Sequence, residues 1–275
     1  LHERRAMSEE LINIERKAAI FCIELHRPQR VNALSRDLLL ALCAAVDEAQ
    51  RDASVRAIVI HGAGKGFSSG FDLKDQMALA PVGAAIWREI LDLDFKATMQ
   101  FWDCKKPTIA AVHGPCLAGA FELALACDYT IASSDAFFGE PELKFGAGIV
   151  TMLLPWITGP KQAKRIILSG LDHIPAQEAL AMGLVSEVVQ TGEHLNRALQ
   201  IASHLSAMDP VLVQETKKAI NQSYEIQGMQ AALQRALDID HGIESHGSPD
   251  KQQFMSIARQ KGLAAAIAWR DARFS

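Results

Sequence analysis

The chain has 275 residues, 49% hydrophobic and 22% charged, with a formal net charge of −4. That apolar content suffices for a sizeable single core, and the acidic balance argues against a nucleic-acid surface, which carries basic excess. No stretch of ~18 uncharged apolar residues exists to cross a membrane. The first ten residues, LHERRAMSEE, hold five charges and lack the apolar run of a secretory signal; Met7 is read as a candidate natural start.

Leu11 to Arg16 and Ala19 to Leu25 read as adjoining strands turning at Lys17. Ser35 to Asp52 reads as a helix capped by Ser35, with Leu38, Leu42, Ala45, Val46 and Ala49 on one face. Ala57 to His61 is a short buried strand, and the loop Gly62 to Gly70 holds four glycines. Val82 to Asp103 reads as helix. Thr108 to Val112 reads as a strand, His113 to Cys116 as a turn, and a helix opens around Gly119. Tyr129 to Ala132 is a further strand, with Ala136 to Gly139 extending the sheet. Ile149 to Ser169 reads as helix interrupted at Pro155 and at Gly159-Pro160, Ala176 to Met182 as helix, and Val185 to Val189 as the last strand. From Glu193 the pattern is helical, broken at Pro210, Gly228 and Ser248-Pro249. Strands alternating with helices, followed by helices alone, imply an α/β core with a helical C-terminal section.

The segment Lys106 to Asp128, KPTIAAVHGPCLAGAFELALACD, carries the clearest chemical signal. A helix N-terminus presents unpaired N–H groups and the positive end of the helix dipole. Gly119 would let a ligand approach that backbone closely, and Glu122 lies one turn on, on the same face. A backbone donor beside a carboxylate suits chemistry on a carbonyl whose oxygen becomes negative. Glu140 and Glu142 supply further acids beside Pro141, although acids near a helix start are as often solvated or capping. The match Gly66-Phe67-Ser68-Ser69-Gly70 fits G-x-S-x-G only weakly, because its strand ends too early, at His61. Lys65 lacks phosphate-loop spacing. His113 reads as a packing or hydrogen-bonding residue, Asp128 as a structural partner, and no histidine pair has metal-ligand spacing, so no metal is expected. The five cysteines (Cys22, Cys43, Cys104, Cys116, Cys127) form no C-x-x-C pair and read as buried free thiols of a reducing, cytoplasmic compartment.

Four segments together resemble the enoyl-CoA hydratase/isomerase, or crotonase, family. HRPQRVNALS (His26 to Ser35) resembles its R-P-x-x-x-N-A-L motif, and KGFSSGFDLKD (Lys65 to Asp75) its F-[SC]-A-G-x-D-[LI] loop. AAVHGPCLAGAFELALACDYTIAS (Ala110 to Ser133) resembles its glycine-rich strand-to-helix segment, and FFGEPELKFG (Phe137 to Gly146) its F-x-x-P-E-x-x-x-G. The resemblance implies a spiral of ββα units over residues 1–195 carrying an acyl-CoA site. It implies a C-terminal helical region, residues 196–275, for oligomerisation and site cover. It implies an oxyanion hole from the N–H groups of Phe71 and Gly119 and catalytic glutamates at Glu122 and Glu142. Coenzyme A contacts fall on Arg27, Asp72, Leu73, Lys74 and Lys261. The implied reaction is hydration of a 2-enoyl-CoA, with double-bond isomerisation as the alternative and, as a different class, a weakly catalytic RNA-binding or scaffold relative. Coenzyme A is then part of the substrate and no separate cofactor is expected, nor a nucleic-acid or membrane partner, while a homotrimer or a hexamer of paired trimers is. Ala118 and Ala120 depart from the family's glycine run. The bulky GAGIVTMLLPWITG (Gly146 to Gly159) is expected to alter the acyl pocket, with Leu79, Val82, Ile86, Trp87, Ile149, Met152 and Trp156 as candidate lining.

Overall fold

A computed structural model describes residues 11–274; Met7 and its flanks lie outside them. The first strands, β1 (Ile12–Lys17) and β2 (Ile20–Leu25), form an antiparallel hairpin that turns through Ala18. Parallel pairing then adds β3 (Ala57–Gly62), β4 (Thr108–Val112), β6 (Tyr129–Ser133) and β9 (Glu187–Val189), giving the order β1-β2-β3-β4-β6-β9. A second sheet of three very short strands, β5 (Pro115–Leu117), β7 (Phe137–Gly139) and β8 (Ile174–Pro175), stands apart from the first. Residues 136–139 therefore do not extend the main sheet, and the expected turn at 113–116 contains a strand.

Strand side chains alternate between faces, and the two faces of the main sheet have different partners. Phe21, Ile23, Ile58, Ile60, Ala110 and Val112 join the large core with α1 (Arg36–Arg51), which Ser35 caps through the Leu38 N–H, and with α3 (Ala84–Asp103) and α4 (Gly119–Ala126). Cys22, Ala57, Val59, Ile109, Ala111 and Ile131 face the other way and pack on Ala198 and Ala202 of α7 (His194–Ser206). That helix begins at the boundary expected at residue 195 and runs past it, yet it covers one face of the sheet.

Between these elements lie α2 (Leu73–Leu79), which the sequence reading left unassigned, α5 (Leu154–Ser169) and α6 (Ala176–Ala181). Pro155 does not interrupt α5, because it sits in the first turn where no N–H is needed; the kink is at Gly159. The C-terminal helices are α8 (Pro210–Ile226), α9 (Met229–His246), α10 (Pro249–Lys261) and α11 (Leu263–Asp271). Helix α9 packs on α3, and α10 approaches the turn Glu142–Phe145. All five cysteines are buried and unpaired. Asp128 accepts from the Thr108 N–H and hydroxyl and from Lys217 of α8, a structural clasp.

Asn32 holds the glycine loop in place. It is fully buried with φ 50°, a left-handed conformation that asparagine tolerates better than most residues. Its Nδ2 donates to the carbonyls of Ala63, Gly66 and Phe67 at 2.8, 2.9 and 3.1 Å, and its Oδ1 accepts from the Arg27 N–H at 2.8 Å. The Ser68 hydroxyl donates to the Asn32 carbonyl, so this serine is a strut and no nucleophile. Asn32→Ala leaves several buried loop groups unpaired and is expected to cost roughly 2–4 kcal/mol of stability; urea unfolding of the parent and variant chains measures it, and a difference within error would refute the bracing role.

Candidate active site

Two distant backbone segments converge at the mouth of a cavity of about 330 Å³. Residues 67–70 run alongside β5: the Ser68 N–H donates to the Pro115 carbonyl, and the Leu117 N–H donates back to Ser68. On the other side, Leu34 pairs with Phe71, its N–H donating to Gly70 and its carbonyl accepting from Asp72. In such a parallel bridge the N–H of the intervening residue, Phe71, points away from Leu34. The Ala118 N–H donates to Gly139, and the next N–H, that of Gly119, opens α4. Among the described residues neither the Phe71 nor the Gly119 N–H has an acceptor.

The approach is close enough to dictate residue type. Gly70 has φ +86°, and a Cβ there would fall 2.6 Å from the Ala118 Cβ and 3.5 Å from the Gly119 nitrogen. A Cβ on Gly119 would fall 2.3 Å from the Phe71 ring. Ala118 sits at φ 56°, ψ −137°, a region normally left to glycine, which stores strain of about 1–3 kcal/mol beside the site. Ala120, by contrast, lies inside α4 without strain.

Three carboxylates face one another next to this junction. Glu122 comes from α4, Glu140 from the end of β7, and Glu142 opens the turn that follows; their oxygens lie within 4.8 Å of one another. Glu122 is 1% exposed and its Oε1 accepts from the Thr151 N–H at 3.0 Å. One oxygen on each glutamate, Oε2, is buried without a hydrogen-bond partner. Burial first, and then the neighbouring acids, push Glu122 and Glu140 well above the usual carboxylate range. Burial raises Glu142 to about 7, against a hydrogen bond from Glu140 that works to lower it. Three such groups cannot all ionise, so the cluster holds protons near neutral pH. The same oxygens are spaced to hold a cation.

Of the four expected catalytic residues, Phe71 and Glu142 line the cavity; Gly119 follows the lining residue Ala118 in sequence, and a Glu122 oxygen lies within 4.8 Å of one on Glu142. The expected coenzyme A contacts divide differently. Leu73 lines the cavity, and Lys74 and Lys261 are exposed. Arg27 turns inward: it is 9% exposed, with its guanidinium on Asp72 at 2.8 Å and on the Ala33 carbonyl. It is an internal brace and is not placed to meet a phosphate. Asp72 accepts from Arg27, Arg30 and the first N–H groups of α2; burial works to raise its pKa, but these donors hold it below the usual range.

The lining also differs from the expected one. Leu79, Val82 and Ile86 are exposed, Ile149 belongs to the main core, and Met152 and Trp156 pack against that core. Of that set only Trp87 faces the cavity, joined by Leu91, Leu117, Phe145, Val150 and Phe254. Sequence reasoning missed Asp94, Asp240, Lys251 and Arg270, which also line it. They lie on helices whose polar residues look like solvated faces until α3, α9, α10 and α11 are packed together.

The sequence pattern of the Enoyl-CoA hydratase/isomerase family matches residues 15–260. A crotonyl-CoA hydratase of Syntrophomonas wolfei is 36% identical over 274 residues, covering 98% of this chain and 99% of its own. A short-chain-enoyl-CoA hydratase of Clostridium acetobutylicum is 35% identical over 262 residues, covering 92% and 96%. The crystal structure of an enoyl-CoA hydratase/isomerase from Xanthobacter autotrophicus Py2 superposes with a TM-score of 0.95 at 58% identity, covering 96% of this chain and 98% of that one. With the match running from β1 through α10, the chain belongs to the enoyl-CoA hydratase/isomerase family.

Proposed function

We propose that the chain adds water to a 2-enoyl-CoA thioester, giving the 3-hydroxyacyl-CoA. The observation that carries this reading is the pair of unengaged N–H groups, that of the cavity-lining Phe71 and that of Gly119 next to the lining residue Ala118, beside buried, mutually close carboxylates. As the water oxygen bonds to the β-carbon, negative charge moves to the thioester oxygen. The two N–H groups and the N-terminus of α4 stabilise it there, each donor being worth about 3–4 kcal/mol in sites of this kind. Glu142, raised to about 7, delivers a proton to the α-carbon. Glu122, held through Oε1 by Thr151, keeps Oε2 to orient the attacking water, whose proton passes to the ionised member of the coupled carboxylate cluster. Each added water thus leaves its hydroxyl on the β-carbon, and the proton count of the glutamate cluster is restored. The positive groups near the coenzyme are Lys74, Lys261 and, in place of Arg27, Arg270, whose guanidinium lies 4.3 Å over the Phe145 ring at the cavity wall.

Leu212 and Ile220, exposed apolar residues of α8, line a groove of about 920 Å³ together with Trp102 and Tyr129. Such a face supports self-assembly into a trimer, or two paired trimers. Among the described residues no helix is long and apolar enough to cross a membrane, and a cytoplasmic location fits the free thiols.

Glu122→Gln and Glu142→Gln are each expected to lower kcat by about 10²–10⁴, read from the loss of conjugated-thioester absorbance. Hydration at parental rates in either variant would sink the assignment, and isomerisation persisting at full rate in Glu122→Gln with no hydration by the parent chain would replace it with the isomerase. Light scattering should give a multiple of the 30.0 kDa chain, reduced to one chain by Leu212→Glu with Ile220→Lys; a monomeric parent chain contradicts the assembly.

Stability should depend on pH in a stated direction. Glu142 at about 7 and Asp240 at about 6 both lie above their unfolded values, so the folded state binds these protons more tightly. Their contribution is complete below about pH 4 and is lost as pH rises through about 6 to about 7. Urea midpoints should fall across that window, with the upper part of the fall flattened in Glu142→Gln; a parallel dependence in both chains would contradict it.

A further inference from the structure

Hydration of a plain acyl chain uses the glutamates near Phe71, and further ionisable groups line the same cavity, among them Asp240, whose charge is felt by Glu122 and Glu142. Asp240 of α9 is 2% exposed, lines the cavity, and its Oδ1 has no hydrogen-bond partner. Its place is built into the opposite wall. A Cβ on Gly148 would lie 1.9 Å from that oxygen, so the missing side chain is the space the carboxyl occupies. Asp94 of α3 also lines the cavity, is 8% exposed, and makes no hydrogen bond or ion pair among the described residues. The nearby cation is already committed: Lys251 pairs with Glu244 and stands 4.4 Å over the Trp87 ring. His241, on the same helix as Asp240, turns to the Ala84 carbonyl. Two buried carboxyls on a cavity wall are thus left unspent, although burying a polar group without a partner is costly.

We infer that the acyl group accepted here carries a hydroxyl beyond its reacting carbons, held by Asp240 and Asp94. The choice among polar ends follows from the surroundings. A methyl end leaves both carboxyls unpartnered. A carboxylate end adds a negative charge beside Asp94, Asp240 and Glu244, where the two lining cations are already paired, Lys251 with Glu244 and Arg270 with Asp271. An ammonium end enters beside Lys251 and must shed a strong hydration shell. A hydroxyl both donates and accepts. It therefore suits two acids that burial, and for Asp94 also the charge of Asp240, raise above the usual carboxylate range, so that they do not readily ionise together. The inference rests on the thioester end sitting at Phe71 and Gly119, as in the hydration reading.

The test uses matched 2-enoyl-CoA thioesters of equal length ending in methyl, hydroxyl or carboxylate, assayed for hydration, and their saturated counterparts, assayed for binding by calorimetry. Sites built to hydrogen-bond a hydroxyl reject analogues that lack it by large factors. The hydroxyl-ended compounds should therefore lead in kcat/KM and in affinity by on the order of tenfold or more. In Asp240→Leu and, independently, in Asp94→Leu, the ratio of hydroxyl-ended to methyl-ended binding should collapse toward unity. Equal or weaker binding of the hydroxyl-ended series by the parent chain overturns the inference, and so does a ratio unmoved in both variants. Binding without turnover of any series would instead fail the hydration reading while still reporting the preference, so the two can fall separately.

Discussion

Everything in the site depends on how the loop between β3 and α2 is clamped. Its glycines and Ser68 are held on one side by Asn32 and Leu34 and on the other by β5, through hydrogen bonds that engage most of the polar backbone groups from Phe67 to Gly70. The Phe71 N–H is left over because the bridge to Leu34 engages the groups on either side of it. The Gly119 N–H is left over because helix starts have no intrahelical acceptor. Neither residue's side chain is chemically needed. What matters is that Gly70 and Gly119 lack a Cβ where the two chains meet, and the strained backbone of Ala118 shows how firmly the surrounding structure enforces the approach.

A second constraint is that this cavity gathers carboxyl groups instead of dispersing them. Glu122, Glu140 and Glu142 are held at one end by short backbone segments, and Asp94 and Asp240 lie on its helical wall. Asp72, close by in sequence to Phe71, shows the contrast. It is equally buried, but two arginines and two N–H groups satisfy it, and its pKa falls. The groups without such partners rise instead. Partnered acids thus hold the frame, whereas the unpartnered ones are available to exchange protons or bind a ligand.

Much of the fold was legible because long amphipathic or β-branched runs decide their own structure: the β1–β2 hairpin, α1 with its Ser35 cap, β3, β4 and the helices from α7 on. The second sheet was not, since strands of two or three residues such as β5 and β8 carry no periodicity and exist only because the loops beside them pair. Glu122 and the Gly119 helix start could be singled out from local context, whereas Glu142 was set apart from Glu140 only by the family resemblance. Arg27 could not be placed correctly, because nothing local says that its partner is Asp72, 45 positions away. Asp94, Asp240 and Lys251 were illegible for the same reason: each sits on an ordinary amphipathic helix, and only the packing of α9 and α10 against α3 makes its surroundings dry.

The two ends of the cavity are consequently built from different materials. The end proposed for the thioester is main chain, held by the hydrogen-bond ladder of the α/β core, so that substituting exposed side chains leaves the donors where they are. The far end is side chains on α3, α9 and α10, which meet across helix packings and can be exchanged without moving a strand. A fold divided this way can keep one means of stabilising an enolate while changing what lies at the other end of the acyl group. In this chain the helical wall brings Asp94, Asp240 and Glu244 together with Lys251 and Arg270, so under the proposal above it would discriminate by hydrogen bonding and charge as well as by volume.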